Sequence, residues 1–569
     1  MSKSDLHIDI LGTDFTISTD EESEYLDKLL SKYRRTVESV QQKTGLTDTL
    51  KLAVLTGFLL CDDLEKASNA PEPAKNEDQG EAERLTLGMI SRLDELCLQD
   101  TSRKGASDLR SAAQREEEQR EEEQIENNNF PSAPLRSLRE KNGNKVFRLQ
   151  NTIKNYDWGS AEWIPALLGQ RNISRIPWAE LWMGVNPAGP SHLVESGEEG
   201  TDPALLLSEL IEQDKTAFLG KETGEKYGKL PFLFKVLAAA KPLSIQVHPN
   251  REQAVEGFER ENSDGIPIDA PNRNYRDPNH KPEIICALGP FTALCGFRDT
   301  QGTSFLFQIL LQILNLEGER SEIVGAEIVG AEIILKKGFE RLISALEQEE
   351  NQYRTFITAL FSMEKETFLA FDLLIKDRQE QLERDFPEYK GEWGLCVYLS
   401  SLFPGDPGVL APLYLNIVEM SPCEAMFLPA GVFHSYIYGL GIELMADSDN
   451  VLRGGLSSKF VDTEELLRVL QFSAYKPKII KAPSPAPSWF SYPTPSEEFT
   501  LSLIQCAEGS IKYQVEGPSI LFITMGIADV ADGTTPSLSI KSGESVFIPD
   551  GKSLELTGTF TAYSASTKT

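Results

Sequence analysis

The run Asn127-Asn128-Asn129-Phe130-Pro131-Ser132-Ala133-Pro134 restricts the fold of this chain more than any other feature. Its Asn and Ser side chains compete for backbone hydrogen bonds, and each proline removes a donor and pushes the preceding residue out of the helical region, so no helix or strand continues through it. The chain is therefore read as two separately folding parts joined by a linker at 127–145.

Upstream, Leu6, Ile8 and Ile10 alternate with polar residues, Gly12-Thr13 offers a turn, and Phe15 and Ile17 resume the alternation, which predicts a hairpin. Asp20 then caps a helix carrying Tyr25, Leu26, Leu29, Leu30, Tyr33 and Val37. The stretch 50–64 is more apolar than a small domain buries on one side, so a helix shared with a partner copy is expected. An amphipathic segment follows at 85–97, and then Arg115-Glu116-Glu117-Glu118-Gln119 is repeated at 120–124 without apolar seam positions, as a solvated helix or linker would be.

A net charge of -31 argues against a nucleic-acid or anionic-membrane binder, while leaving room for a local basic pocket that holds a small phosphate. The seven cysteines have no C-x-x-C spacing and read as reduced thiols. No apolar leader follows Met1, and no run approaches the ~18 apolar residues of a membrane span, so a cytoplasmic location is expected.

Past the linker come short strand-like runs, broken by a helical insertion expected at 303–399. That insertion contains the pentad Glu322-Ile323-Val324-Gly325-Ala326, repeated at 327–331, too few copies for a solenoid. In the stretch 244–249, alternation turns Ser244, Gln246 and His248 to one face and Ile245 and Val247 to the other. An amide oxygen and an imidazole nitrogen two residues apart can meet one cation. His280-Lys281-Pro282-Glu283 places a carboxylate at the head of a strand expected at 284–288, and a charge entering a core needs a partner. The Pro429-Ala430-Gly431 turn leads into a strand expected to hold His434, Tyr436 and Tyr438 on one face, followed by a Gly439-Leu440-Gly441 hairpin and a return strand with Glu443.

Two resemblances follow. The stretch from Leu6 to about Leu64 resembles the ZapA family of cell-division accessory proteins, which implies self-association, homo-oligomers and a possible division-ring partner for a module at 1–126. Tyr156-Asp157-Trp158-Gly159, Glu180-Leu181-Trp182-Met183-Gly184, 230–237, 244–249, His280-Lys281-Pro282-Glu283, Ala293-Leu294-Cys295-Gly296-Phe297-Arg298 and 448–456 resemble the type I mannose-6-phosphate isomerases. That resemblance implies a mainly β cupin at 146–302 and 400–480 with the α-helical insertion between. It also implies one Zn2+ per chain on Gln246, His248, Glu283 and His434, and an active-site Arg453.

The residues support that chemistry independently. A set with one carboxylate and no thiolate leaves positive charge on a divalent ion, which suits a Lewis acid more than a closed structural site. Iron is the rival metal, because two histidines and one carboxylate also form the facial triad, but Gln246 and the phosphate-type lysines favour zinc. Aldose-ketose isomerisation moves a proton through a cis-enediolate and needs a base and a nearby cation. Arg453 suits the cation, Glu443 or Lys281 the base, and Ser244, Lys235, Lys459 and Tyr436 the sugar phosphate. A scaffold or sensor that binds sugar phosphate without turnover is the competing reading. Finally, 543–551 echoes 423–431, with Leu554 answering His434, so 481–569 is expected to be a second cupin-like β domain without a metal.

Overall fold

The computed structural model divides into two units, Met1–Pro131 and Ser132–Thr569. It describes residues 4–10, 13–19 and 36 of the first unit and, of the second, 145–568 apart from 195–204, 319–325, 484–487, 515 and 534–536. In the first unit Ser4–Ile10 and Thr13–Thr19 pair as the expected antiparallel hairpin, with Leu6 opposite Ile17 and Ile8 opposite Phe15. The helices expected at 25–37 (Thr36 excepted), 50–64 and 85–97, the repeat at 115–124 and the run 127–134 lie outside the described residues.

Among the described residues the second unit is built on two antiparallel sheets, of 11 and 9 strands. The larger is organised around one strand, His434–Ala446, whose first half pairs with Phe291–Phe297 and meets Gln246–Val247, and whose second half runs between Phe232–Ala239 and Glu283–Ala287. The hairpin expected at Gly439-Leu440-Gly441 is not formed. Gly439 instead has φ 136°, and a Cβ there would lie 2.5 Å from the Phe291 ring, so glycine lets the strand bend past a neighbour and continue. Ahead of it the register shifts between Thr292↔Tyr438 and Ala293↔Tyr436, a β-bulge that leaves Ile437 as the extra residue. A one-residue shift exchanges faces. Tyr438 is therefore 47% exposed rather than sharing the inner face with His434 and Tyr436, and the odd-numbered Glu443 becomes buried.

Among the described residues six α-helices, Thr300–Gly318, Ala326–Leu346, Gln352–Phe361, Lys365–Asp385, Lys390–Leu402 and the short Ala411–Tyr414, intervene between Phe291–Phe297 and Leu415–Met420. The second copy of the pentad falls in the second of these, and residues 322–325 lie outside the described residues. The helical core, with Phe307, Phe339, Phe356 and Trp393, extends to Ile245 and Val247, both fully buried. Burying each contributes about 1.5–3 kcal/mol, which fixes the register of their strand and turns its polar residues to the opposite side.

The smaller sheet runs Trp489–Tyr492, Thr500–Cys506, Ser553–Ser566, Ser519–Ala531, Ser545–Ile548, Phe147–Gln150, His192–Leu193. Phe147–Gln150 thus pairs with Ser545–Ile548, with Phe147 opposite Phe547, and one apolar core including Phe234, Ile284, Leu444, Phe522 and Tyr563 lies between the two sheets. The echoed segments share a course: strand Glu424–Leu428, turn at Gly431 and long strand His434–Ala446 match Ser545–Ile548, Gly551 and Ser553–Ser566. Both glycines have left-handed φ, 81° and 72°, and Leu554 is buried where the first copy carries His434.

Candidate metal centre and substrate site

Three site residues share one row of the larger sheet: His434 lies opposite Gln246, and Gln246 opposite Arg453. Directly opposed residues project from the same face, so the ladder itself brings these side chains together. His248 follows one turn of the pleat later, and Glu283 opens the strand Glu283–Ala287. His248 Nδ1 is 2.7 Å from the Asn450 carbonyl oxygen and His434 Nδ1 is 3.0 Å from that of Val432. A carbonyl only accepts, so both Nδ1 atoms carry the hydrogen and both Nε2 atoms present lone pairs.

Those lone pairs converge on a carboxylate. His248 Nε2 is 3.3 Å from Glu283 Oε1, and His434 Nε2 is 3.4 Å from Glu283 Oε2. His248 Nε2 and Glu283 Oε2 are buried without a hydrogen-bond partner, and the ligand atoms of the three residues lie within 4.8 Å of one another. Burying mutually repelling acceptors is costly unless a cation lies among them. Burial pushes the His248 pKa down to about 4, which keeps the ring neutral. Burial acts against ionisation of Glu283, but Lys281, its Nζ 3.2 Å away, outweighs it and holds the carboxyl well below the usual range. Gln246 places its amide nitrogen 3.3 Å from His434 Nε2. The two ends of an amide are assigned by their partners, so a half-turn offers the oxygen as a fourth donor. The residues fit a divalent cation.

Behind this set, Trp182, Lys235 and Glu443 form another row. Lys235 Nζ is 3.0 Å from Glu443 Oε2 and 3.5 Å from Glu180 Oε1 and lies over the Trp182 ring, and Trp182 Nε1 donates to Glu180 at 2.8 Å. Burial alone would lower the Lys235 pKa, but the carboxylates of Glu180, Glu443 and Glu283 raise it, so it stays charged. Lys235, expected at the sugar phosphate, is instead committed to two carboxylates. Glu443 has its pKa raised, first by burial and further by Glu283 and Glu180, against the pull of Lys235. Tyr436 is 1% exposed, its hydroxyl without a hydrogen-bond partner, against the Phe291 ring.

On the other side stand cations. Arg453 has its pKa lowered by partial burial and by Arg276; Lys459 has its own lowered by partial burial, Arg453 and Arg276. Among the described residues none of the three forms an ion pair with a carboxylate, so like charges crowd without compensation, as at an anion site. Ser244, half-buried, precedes Ile245, whose N–H bonds the Gly455 carbonyl two residues beyond Arg453. Arg276 was missed in the sequence. Its loop is pinned by Arg273 to Glu261 at 2.9 Å, Asn274 to Asp462 at 2.9 Å and Tyr275 to Glu465 at 2.6 Å, none of which a local motif reveals.

Comparison with known proteins matches both units. Residues 146–300 match the family model described as phosphomannose isomerase type I, catalytic domain, and residues 6–99 that of cell division protein ZapA. The chain is 36% identical over 409 residues to mannose-6-phosphate isomerase of Escherichia coli (strain K12), covering 71% of this chain and 95% of that protein. It is 32% identical over 432 residues to mannose-6-phosphate isomerase 2 of Arabidopsis thaliana, covering 73% of this chain and 91% of that one. A crystal structure of zinc-bound mannose 6-phosphate isomerase superposes with a TM-score of 0.62 at 33% identity, over 74% of this chain and all of that one. The chain belongs to the type I mannose-6-phosphate isomerase family.

Proposed function

We propose that the chain is a zinc-dependent isomerase interconverting mannose 6-phosphate and fructose 6-phosphate through a cis-enediol, built on a cupin scaffold at 146–302 and 400–480. The observation that carries this is the convergence of two imidazole Nε2 atoms and the Glu283 carboxylate beside Gln246 and Arg453. Zinc, when bound, supplies positive charge that favours the oxyanion form of the substrate. Gln246, His248, Glu283 and His434 would hold it, both histidines oriented by carbonyls.

The remaining steps belong to the chain. Arg276 and Lys459 take the phosphate, with Ser244 as an added donor, while Arg453, one strand from Gln246, faces the C1–C2 oxygens and keeps its charge at any working pH. Glu443 is the base: burial raises the basicity of its carboxylate, and Lys235 holds it in place. Lys281, 3.2 Å from Glu283, is the alternative base. Tyr436, buried against the Phe291 ring, is read with the substrate-binding residues. Glu443→Gln should lower kcat by about 10²–10⁴-fold with zinc retained; undiminished kcat assigns the base to Lys281 instead.

Module 1–126 makes homo-oligomers and offers a division-ring contact, a reading supported by the ZapA match and by the apolar run at 50–64. Light scattering of the full chain tests it: a monomer at micromolar concentration removes the reading. Residues 303–399 form the helical insertion, and 481–569 a cupin-like β domain that carries no metal.

A further inference from the structure

Asn450 is fully buried and uses every hydrogen-bonding group of its side chain. Its Nδ2 donates to the backbone carbonyls of Asp277 at 2.7 Å and Asn279 at 2.8 Å. Its Oδ1 accepts from the N–H of Arg276 at 2.7 Å and of Asp277 at 3.3 Å. Its backbone carbonyl accepts the His248 Nδ1–H at 2.7 Å, and its own N–H donates to Ser448 Oγ at 3.3 Å. Ser448 in turn donates toward Asp277 Oδ2 and the Asn279 carbonyl, each 3.2 Å away, and Asp277 Oδ2 accepts from the Asp449 N–H at 2.8 Å.

These bonds join stretches that are far apart in sequence. One is the loop that presents Arg276 and continues through Asn279 to Lys281 and Glu283; the other carries Arg453 three residues on. One residue thus holds a metal-facing imidazole with its main chain and the anion-facing loop with its amide. We propose that Asn450 is a positioning residue that ties the metal centre and the phosphate-binding loop into one unit, so that its side chain sets both zinc affinity and sugar-phosphate affinity. This rests on the isomerase reading above. No other side chain of similar size supplies two donors and one strong acceptor in this geometry: aspartate turns both donor positions into acceptors facing carbonyls, and serine reaches neither.

The test uses full-chain Asn450→Asp and Asn450→Ser, with zinc dissociation measured by chelator competition, KM and kcat for mannose 6-phosphate at saturating zinc, and thermal unfolding by circular dichroism. The expected result is zinc binding weakened by about 10–100-fold, as for loss of a group orienting a metal ligand, with KM raised at least about fivefold, the lower end of coupling between sites. The near-isosteric Asp should fail to rescue. Variants that bind zinc and substrate like the parent, whatever their melting temperature, overturn the proposal. Should both fail to fold, Ser448→Ala loosens the same loop from outside: smaller losses in the same two quantities support the proposal, and unchanged values overturn it. A parent protein without zinc binding or turnover would instead overturn the isomerase reading.

Discussion

Lys235 Nζ and Glu443 Oε2 lie 3.0 Å apart with both side chains buried, and Glu180 closes the group from the other side. A buried cation between two carboxylates offsets charge that the interior could not otherwise hold, and removing it strands both anions. Lys235→Met should therefore cost about 3–5 kcal/mol in urea unfolding, with kcat falling more than KM rises. If KM rose alone, Lys235 would belong to the phosphate after all.

The two polar residues that flank Gln246 separate in function. His248→Ala should lose zinc and turnover together, whereas Ser244→Ala should keep full zinc occupancy and raise KM. Elemental analysis beside steady-state kinetics reads both; loss of zinc from the Ser244 variant would contradict the assignment of that face.

Arg276→Ala and Lys459→Ala should each raise KM for mannose 6-phosphate by about 10-fold or more, the loss of one charge-assisted hydrogen bond of roughly 1.5–3 kcal/mol, with kcat little affected. Because Lys459 has its pKa lowered, the alkaline rise in parental KM should begin below the range of an ordinary lysine and be absent in the Lys459 variant. An unchanged KM–pH profile would remove Lys459 from the site.

Glu498 supplies a pH-dependent contact beside the site. Burial would raise its pKa, but hydrogen bonds from His280 at 2.8 Å and Ser496 at 2.8 Å outweigh it and bring the group down to about 2. A carboxyl with a folded pKa below its unfolded value of ~4.3 stabilises the fold above that value and loses the contribution as pH falls through 2. Glu498→Gln should thus be less stable than the parent at pH 6 in chemical unfolding, with the gap closing between about pH 4 and 2. A gap independent of pH would show that the charge contributes nothing.

Much of the site was legible because it depends on local alternation: Gln246 and His248 share a face in any strand, and Ile245 and Val247 pack on the helical core as the pattern requires. The fate of Lys235 was not, since its partners Glu180 and Glu443 are 55 and 208 residues away. Nor was the bulge at Ile437, which inverted the facing of Tyr438 and made a hairpin of Gly439 unnecessary. Arg276 carries no motif, and its placement comes from Glu261, Glu465 and Asn450. The pairing of Phe147–Gln150 with Ser545–Ile548 likewise joins chain segments that no local signal connects.

The most direct measurement is a coupled isomerase assay on the full chain, before and after metal removal, with metal content determined on the same samples. About one zinc per chain, turnover of mannose 6-phosphate abolished by chelation and restored by zinc, is the expected result. Turnover indifferent to chelation, or purified protein carrying iron in place of zinc, would contradict it.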